Sequence, residues 1–181
     1  MFSGKTSKLL EIHKQYTFCK IPVIVINYHE DNRYDNTLMS THDQRKIECV
    51  KASTIADVMV EQMDKFRSSE PLAVLINEGQ FFEDIVPSVC DIVTRYRKHV
   101  YIAGLDGDFK REVFGDLLEL IPMCDSVTKL KSLCVSCRNG TLAPFSHRID
   151  HTQRQQKCIG TDDLYVPLCR SCYDRCAVAT L

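Results

Sequence analysis

The chain has 181 residues, 44% of them apolar, and a formal net charge of −1. That length supports one sizeable core, or one core with a small appendage, and no cluster of lysine and arginine marks nucleic acid or anionic membrane as a partner. No apolar run approaches the roughly 20 residues of a membrane span and Met1 does not lead into a signal segment, so a soluble cytoplasmic protein is expected.

Phe2-Ser3-Gly4-Lys5-Thr6 comes first and runs into Ser7-Lys8-Leu9-Leu10-Glu11-Ile12, whose apolar residues have helical spacing. Gly-Lys-Thr at the opening of a helix suits phosphate. Backbone N–H groups of the loop and helix N-terminus cradle it, the lysine neutralises it and the threonine hydroxyl can ligate Mg²⁺. The full G-x-x-x-x-G-K-[ST] pattern needs a glycine that would fall before Met1.

Three short apolar runs follow, at residues 21–26, 72–76 and 100–105, and such runs suit strands buried on both faces. Two intervening stretches have helical periods, one with Ile55, Met59, Met63 and Phe66 on a face, the other with Ile85, Val89, Ile92, Val93 and Tyr96. This alternation predicts an α/β fold, a parallel sheet covered by helices with polar chemistry at the carboxyl ends of the strands. Three polar segments stand at those ends: Asp31-Asn32-Arg33-Tyr34, Asn77-Glu78-Gly79-Gln80-Phe81-Phe82 and Asp106-Gly107-Asp108-Phe109. Asn77-Glu78 directly ends a buried run, the station where phosphate-loop enzymes place a Mg²⁺-binding or water-positioning acid; a merely solvated strand end is the alternative. Phe81, Phe82, Phe109 and Phe114 are either ordinary core residues or rings that grip a planar base by stacking.

The C-terminal third carries Cys134-Val135-Ser136-Cys137 and Cys169-Arg170-Ser171-Cys172. Two C-x-x-C pairs meet the tetrahedral demand of a closed, structural Zn²⁺ site, which we favour over a redox role. Cys19, Cys49, Cys90, Cys124, Cys158 and Cys176 are scattered singly and read as reduced thiols. Residues 155–165, between the pairs, read as loop.

Taken in order, Phe-Ser-Gly-Lys-Thr, Asp-Asn-Arg-Tyr, Thr41-His42-Asp43, Glu-Gly-Gln-Phe-Phe, Leu-Asp-Gly-Asp-Phe and the cysteine pairs give a chain that resembles type II thymidine kinases over essentially its whole length. The resemblance implies a P-loop kinase-like parallel sheet with flanking helices over residues 1–128, and a small zinc-binding domain with a substrate-covering lasso loop over 129–181. It implies transfer of the γ-phosphate of ATP to the 5′-hydroxyl of thymidine, with Glu78 as the base; a glutamate near its ordinary pKa of about 4.3 is ionised at neutral pH and can accept that proton. Ser3, Gly4, Lys5, Thr6, Asp31, Arg33, Asn77 and Gln80 then fall on the ATP side. Phe81, Phe109, Phe114, Gln156, Lys157, Cys158, Ile159, Gly160 and Tyr165 fall on the nucleoside side. Zn²⁺ on Cys134, Cys137, Cys169 and Cys172, Mg²⁺ with ATP, a homotetramer and feedback inhibition by thymidine triphosphate are implied as well.

Three positions depart from the family. Its phosphate-loop glycine and preceding strand would lie ahead of Met1, so the expressed protein is expected to begin upstream. Asn77 stands where the family has aspartate, which should weaken Mg²⁺ binding, and Thr161 where a second glycine usually follows Gly160. These departures leave open a second expectation, a catalytically impaired nucleotide-binding pseudokinase of the same fold.

Overall fold

The structure, a computed structural model, describes residues 2–30, 38–40, 46–149, 155–157 and 164–178. The chain divides into two compact units, one of Thr6–Asp106 with Gly115–Cys124, the other of Met1–Lys5, Gly107–Phe114 and Asp125–Leu181.

The first unit is a mixed α/β layer. Helix α1 (Lys5–Phe18) leads into β1 (Val23–Tyr28); the short antiparallel pair β2 (Leu38–Ser40) and β3 (Lys46–Glu48) comes next, then β4 (Val50–Ala52). After α2 (Ile55–Glu61) and α3 (Met63–Arg67) come β5 (Ala73–Asn77), α4 (Ile85–Cys90) and β6 (His99–Ala103). The central sheet has the order β4-β1-β5-β6 with every neighbouring pair parallel. All three long apolar runs become adjacent strands, and two are buried as expected: every residue of β5 and all but the first of β1. The third differs, because β6 ends the described sheet order with one strand neighbour, and of its residues only Ala103 is buried. Strand β4 was not legible in the sequence.

Leu9 and Leu10 of α1 pack on Val25, Leu75 and Ala103, one face of β1, β5 and β6, with Ile12 beside them. The two amphipathic stretches meet as their periods predict: the Phe66 and Tyr96 rings lie 5.8 Å apart and the Tyr96 hydroxyl reaches the Met63 sulfur at 3.5 Å. Val93 is the exception at 38% exposed. Residues Asp91–Arg95 form a π turn, with the Tyr96 N–H donating five residues back to the Asp91 carbonyl. Ile85, Val89 and Ile92 stay inside while Val93 turns out.

The second unit is built from two antiparallel strand pairs and a helix: β7 (Ser132–Leu133) with β8 (Leu142–Ala143), β9 (Phe145–Arg148) with β10 (Tyr165–Leu168), and α5 (Arg170–Val178). The stretch expected to be loop thus ends in strand at Tyr165. Its small core combines Cys134, Ala143, Leu168, Cys169, Cys172 and Tyr173. Among the described residues no helix is long and apolar enough to cross a membrane.

Candidate functional site

At the N-terminal turn, Gly4 has φ +82° and α1 begins at Lys5. A Cβ on Gly4 would meet nothing within 4 Å, so its left-handed backbone, and not lack of space, is what calls for glycine there. Ser3, Lys5 and Thr6 are half-buried. The first N–H groups of α1 have no acceptor within the helix and carry its positive end, which suits an anion.

At the carboxyl end of β5 the polar groups are ordered by the parallel register, which sets Asn27 beside Asn77. Both are buried, and the Asn77 amide donates to Asn27 Oδ1 at 3.0 Å. Glu78 then leaves the strand in left-handed geometry, φ 55° and ψ 43°, with 8% of its surface exposed. For a residue with a Cβ that geometry costs on the order of 1 kcal/mol, and such strain concentrates at functional positions. Gly79 opens a short 3-10 turn over Gly79–Phe81; a Cβ there would lie 2.6 Å from Ile102 Cγ2, so only glycine fits the bend against β6.

Gln80 fixes the carboxylate. Its Nε2 donates to Glu78 Oε2 at 2.8 Å while its Oε1 accepts the Leu105 N–H at 2.9 Å. With Gln80 itself 4% exposed, the amide is held from both ends and one Glu78 oxygen is occupied at fixed geometry. Phe81 is half-buried and rests on Tyr28, ring centroids 5.2 Å apart, whereas Phe82 is 1% exposed and meets the same tyrosine edge-on at 5.3 Å. Of the neighbouring pair, Phe82 is the core residue.

In the second unit the Gly107–Phe114 segment closes on itself: Asp108 Oδ1 accepts the N–H groups of Lys110 and Glu112, and Gly107 bridges to Val113. Phe109 is half-buried and Phe114 buried. The Phe109 carbonyl accepts the Tyr173 hydroxyl, and Arg111 pairs with Asp174 at 2.8 Å, so α5 holds this segment. Gln156 donates to Asp108 Oδ2 at 3.0 Å and to the Val113 carbonyl at 3.1 Å. Tyr165 faces Arg148 across the β9–β10 ladder and accepts from its Nε at 3.1 Å. Lys157 is exposed.

Cys134, Cys137, Cys169 and Cys172 bring their sulfurs within 4.8 Å of one another, with Cys137 3.7 Å from Cys169 and 3.5 Å from Cys172. These are not disulfide separations; a tetrahedron with Zn–S of about 2.3 Å has S···S edges of about 3.8 Å, so the donor set fits Zn²⁺. Burial raises the Cys134 thiol, but backbone N–H groups of Cys169, Cys137 and Ser136 outweigh it and bring it down to about 6. Cys172 is also lowered, by the Ser136 hydroxyl, Cys137 and Arg175, whereas its hydrogen bonds to Cys172, Cys169 and Cys134 push Cys137 up to about 12. A divalent cation among them would favour all four thiolates.

Glu78 and Gln80 are thus joined, as are Phe109, Gln156 and Tyr165 in the other unit. Asp31, Arg33, Thr41, His42, Asp43, Cys158, Ile159, Gly160 and Thr161 lie outside the described residues. Tyr28, Arg148 and Tyr173 escaped sequence reasoning. Tyr28 had a signal, since alternation along β1 puts it two residues past Ile26; the other two had none beyond their neighbours.

Residues 1–173 match the family model described as thymidine kinase. The chain is 35% identical over 173 residues to the cytosolic thymidine kinase of Gallus gallus, covering 96% of this chain and 73% of that protein. It is 37% identical over 173 residues to the thymidine kinase of Variola virus, covering 96% and 92%. The cytosolic thymidine kinase of Bos taurus is 36% identical over 174 residues, 96% of this chain and 68% of that protein.

Proposed function

Because the chain belongs to the thymidine kinase family, we propose that it transfers the γ-phosphate of ATP to the 5′-hydroxyl of thymidine, giving thymidine monophosphate. The observation that carries the mechanism is Glu78, a carboxylate 8% exposed at the end of a parallel strand, one oxygen held by Gln80. Glu78 accepts the hydroxyl proton as the nucleophile attacks. Lys5 and the N–H groups at the start of α1 take the phosphates, together with Ser3, Gly4, Asp31 and Arg33. Transfer of this kind needs positioning and charge neutralisation more than covalent help.

Thr6 and Asn77 are assigned to the Mg²⁺ that enters with ATP; both offer neutral oxygens, in keeping with a metal that leans on its phosphates. Phe81, Phe109 and Phe114 are assigned to the thymine ring, and Gln156, Lys157, Cys158, Ile159 and Gly160, as a loop, to covering the nucleoside together with Tyr165 at the start of β10. Cys134, Cys137, Cys169 and Cys172 would hold Zn²⁺, which would cross-link the β7–β8 hairpin to α5. A cytoplasmic setting, a homotetramer and inhibition by thymidine triphosphate follow on the resemblance alone. The three relatives described above are named as thymidine kinases, and the catalytically impaired alternative has no support.

Steady-state turnover with MgATP and thymidine tests this. Glu78→Gln should lower kcat by about 10²–10⁴-fold with little change in either KM. Absence of thymidine phosphorylation overturns the function, and equal rates for both proteins overturn the assigned base.

A further inference from the structure

Arg148 is 3% exposed, and both the edges and the face of its guanidinium are engaged. Along the edges, Nε donates to the Tyr165 hydroxyl at 3.1 Å, one terminal nitrogen to the Gln155 carbonyl at 2.7 Å and the other to the Gln156 carbonyl at 3.3 Å. On the face, its central carbon lies 3.8 Å from the Phe109 ring centroid. Gln156 continues the circuit through its side-chain amide to Asp108, whose other oxygen organises the turn that carries Phe109. Three residues from separate parts of the sequence, Phe109, Gln156 and Tyr165, are thereby referred to one planar cation.

We propose that Arg148 is a positioning residue for the nucleoside, holding Phe109, Gln156 and Tyr165 as a single platform; this rests on the thymidine kinase reading above. A guanidinium serves because it is flat enough to stack on a ring and forked enough to bind a phenol and two carbonyls at once. Lysine keeps the charge but offers neither plane nor fork. The platform concerns the base and its covering loop, so its loss falls on thymidine and not on ATP.

The test uses the full chain with its metal, as wild type, Arg148→Lys and Arg148→Met, with thymidine varied at saturating MgATP and the reverse. Both variants should raise the thymidine KM by about tenfold or more, while the ATP KM and zinc content stay within about twofold of wild type. Arg148→Lys with wild-type kinetics overturns the inference and leaves the kinase reading intact. So does a parallel rise of both KM values, or a fall in kcat that merely tracks loss of zinc, since a purely structural arginine behaves that way. A wild type that does not phosphorylate thymidine overturns the function and this inference with it.

Discussion

Gln80→Met removes the clamp on Glu78 while nearly preserving the shape of the side chain, which suits a buried position. Two hydrogen bonds disappear. The one from Nε2 to Glu78 at 2.8 Å ends on a carboxylate, a class worth about 1.5–3 kcal/mol. The one from the Leu105 N–H at 2.9 Å is to a part-buried donor, which water can partly satisfy, so its loss costs about 1 kcal/mol. Stability should therefore fall by about 2.5–4 kcal/mol, read from the urea midpoint at constant m. Without the amide, Glu78 loses one of the contacts that hold it where it accepts the proton, and misplacement on the order of 1 Å costs about 10²-fold in rate. The assay is ADP release at saturating MgATP and thymidine, below the unfolding transition. A kcat at the wild-type level alongside the expected loss of stability would refute the reasoning, because the clamp would then be structural only. A rise in ATP KM with unchanged kcat would also refute it, returning Gln80 to the phosphates.

Three other outcomes are open to measurement. Cys172→Ser should drop bound zinc well below one per chain by metal analysis and lower the thermal transition, since Cys172 is a buried member of the four-sulfur cluster. Asn77→Asp should reduce the Mg²⁺ concentration for half-maximal rate by about three- to tenfold in a metal titration of activity, with Asn27 turning its amide to donate to the new carboxylate. Tyr16 offers a pH test: burial, then its 2.8 Å bond to the Tyr101 hydroxyl, pushes its phenol up from 10.0 to about 12. The neutral form is the favoured one, so this stabilisation is complete below pH 10 and is lost as pH rises through about 12. Absorbance titration at about 295 nm should show a late-ionising component near pH 12 in the wild type that shrinks by one tyrosine in Tyr16→Phe, while Tyr173, also raised by burial, stays.

The parts of the fold that were legible are those whose physics is local. Runs 21–26 and 72–76 announce buried strands because the inner strands of a covered parallel sheet leave no place for alternation, whereas run 100–105 becomes a strand that is only half-buried at the end of the sheet order. The cysteine pairs announce a four-sulfur cluster that could hold a metal ion, because two C-x-x-C turns supply four ligands. Strand β4 was missed because three residues carry no period, and the β9–β10 ladder because its pairing spans distant sequence. Glu78 and Gln80 were both singled out, but their bond was not, since a left-handed Glu78 and the reach of Gln80 back to Leu105 arise only when β5 and β6 lie side by side. Arg148 was invisible for a similar reason: its partners come from residues 109, 155–156 and 165.

The Gly107–Phe114 segment groups with residues beyond Asp125, although ten residues of the other unit intervene in sequence. Its anchors are the Tyr173 hydroxyl on the Phe109 carbonyl and the Arg111–Asp174 pair. The cysteine module is therefore discontinuous as genetic cargo. A chimaera that grafts only residues from 125 onward between relatives would separate Phe109 from the helix that holds it, whereas a graft that carries both pieces would transplant a self-consistent module.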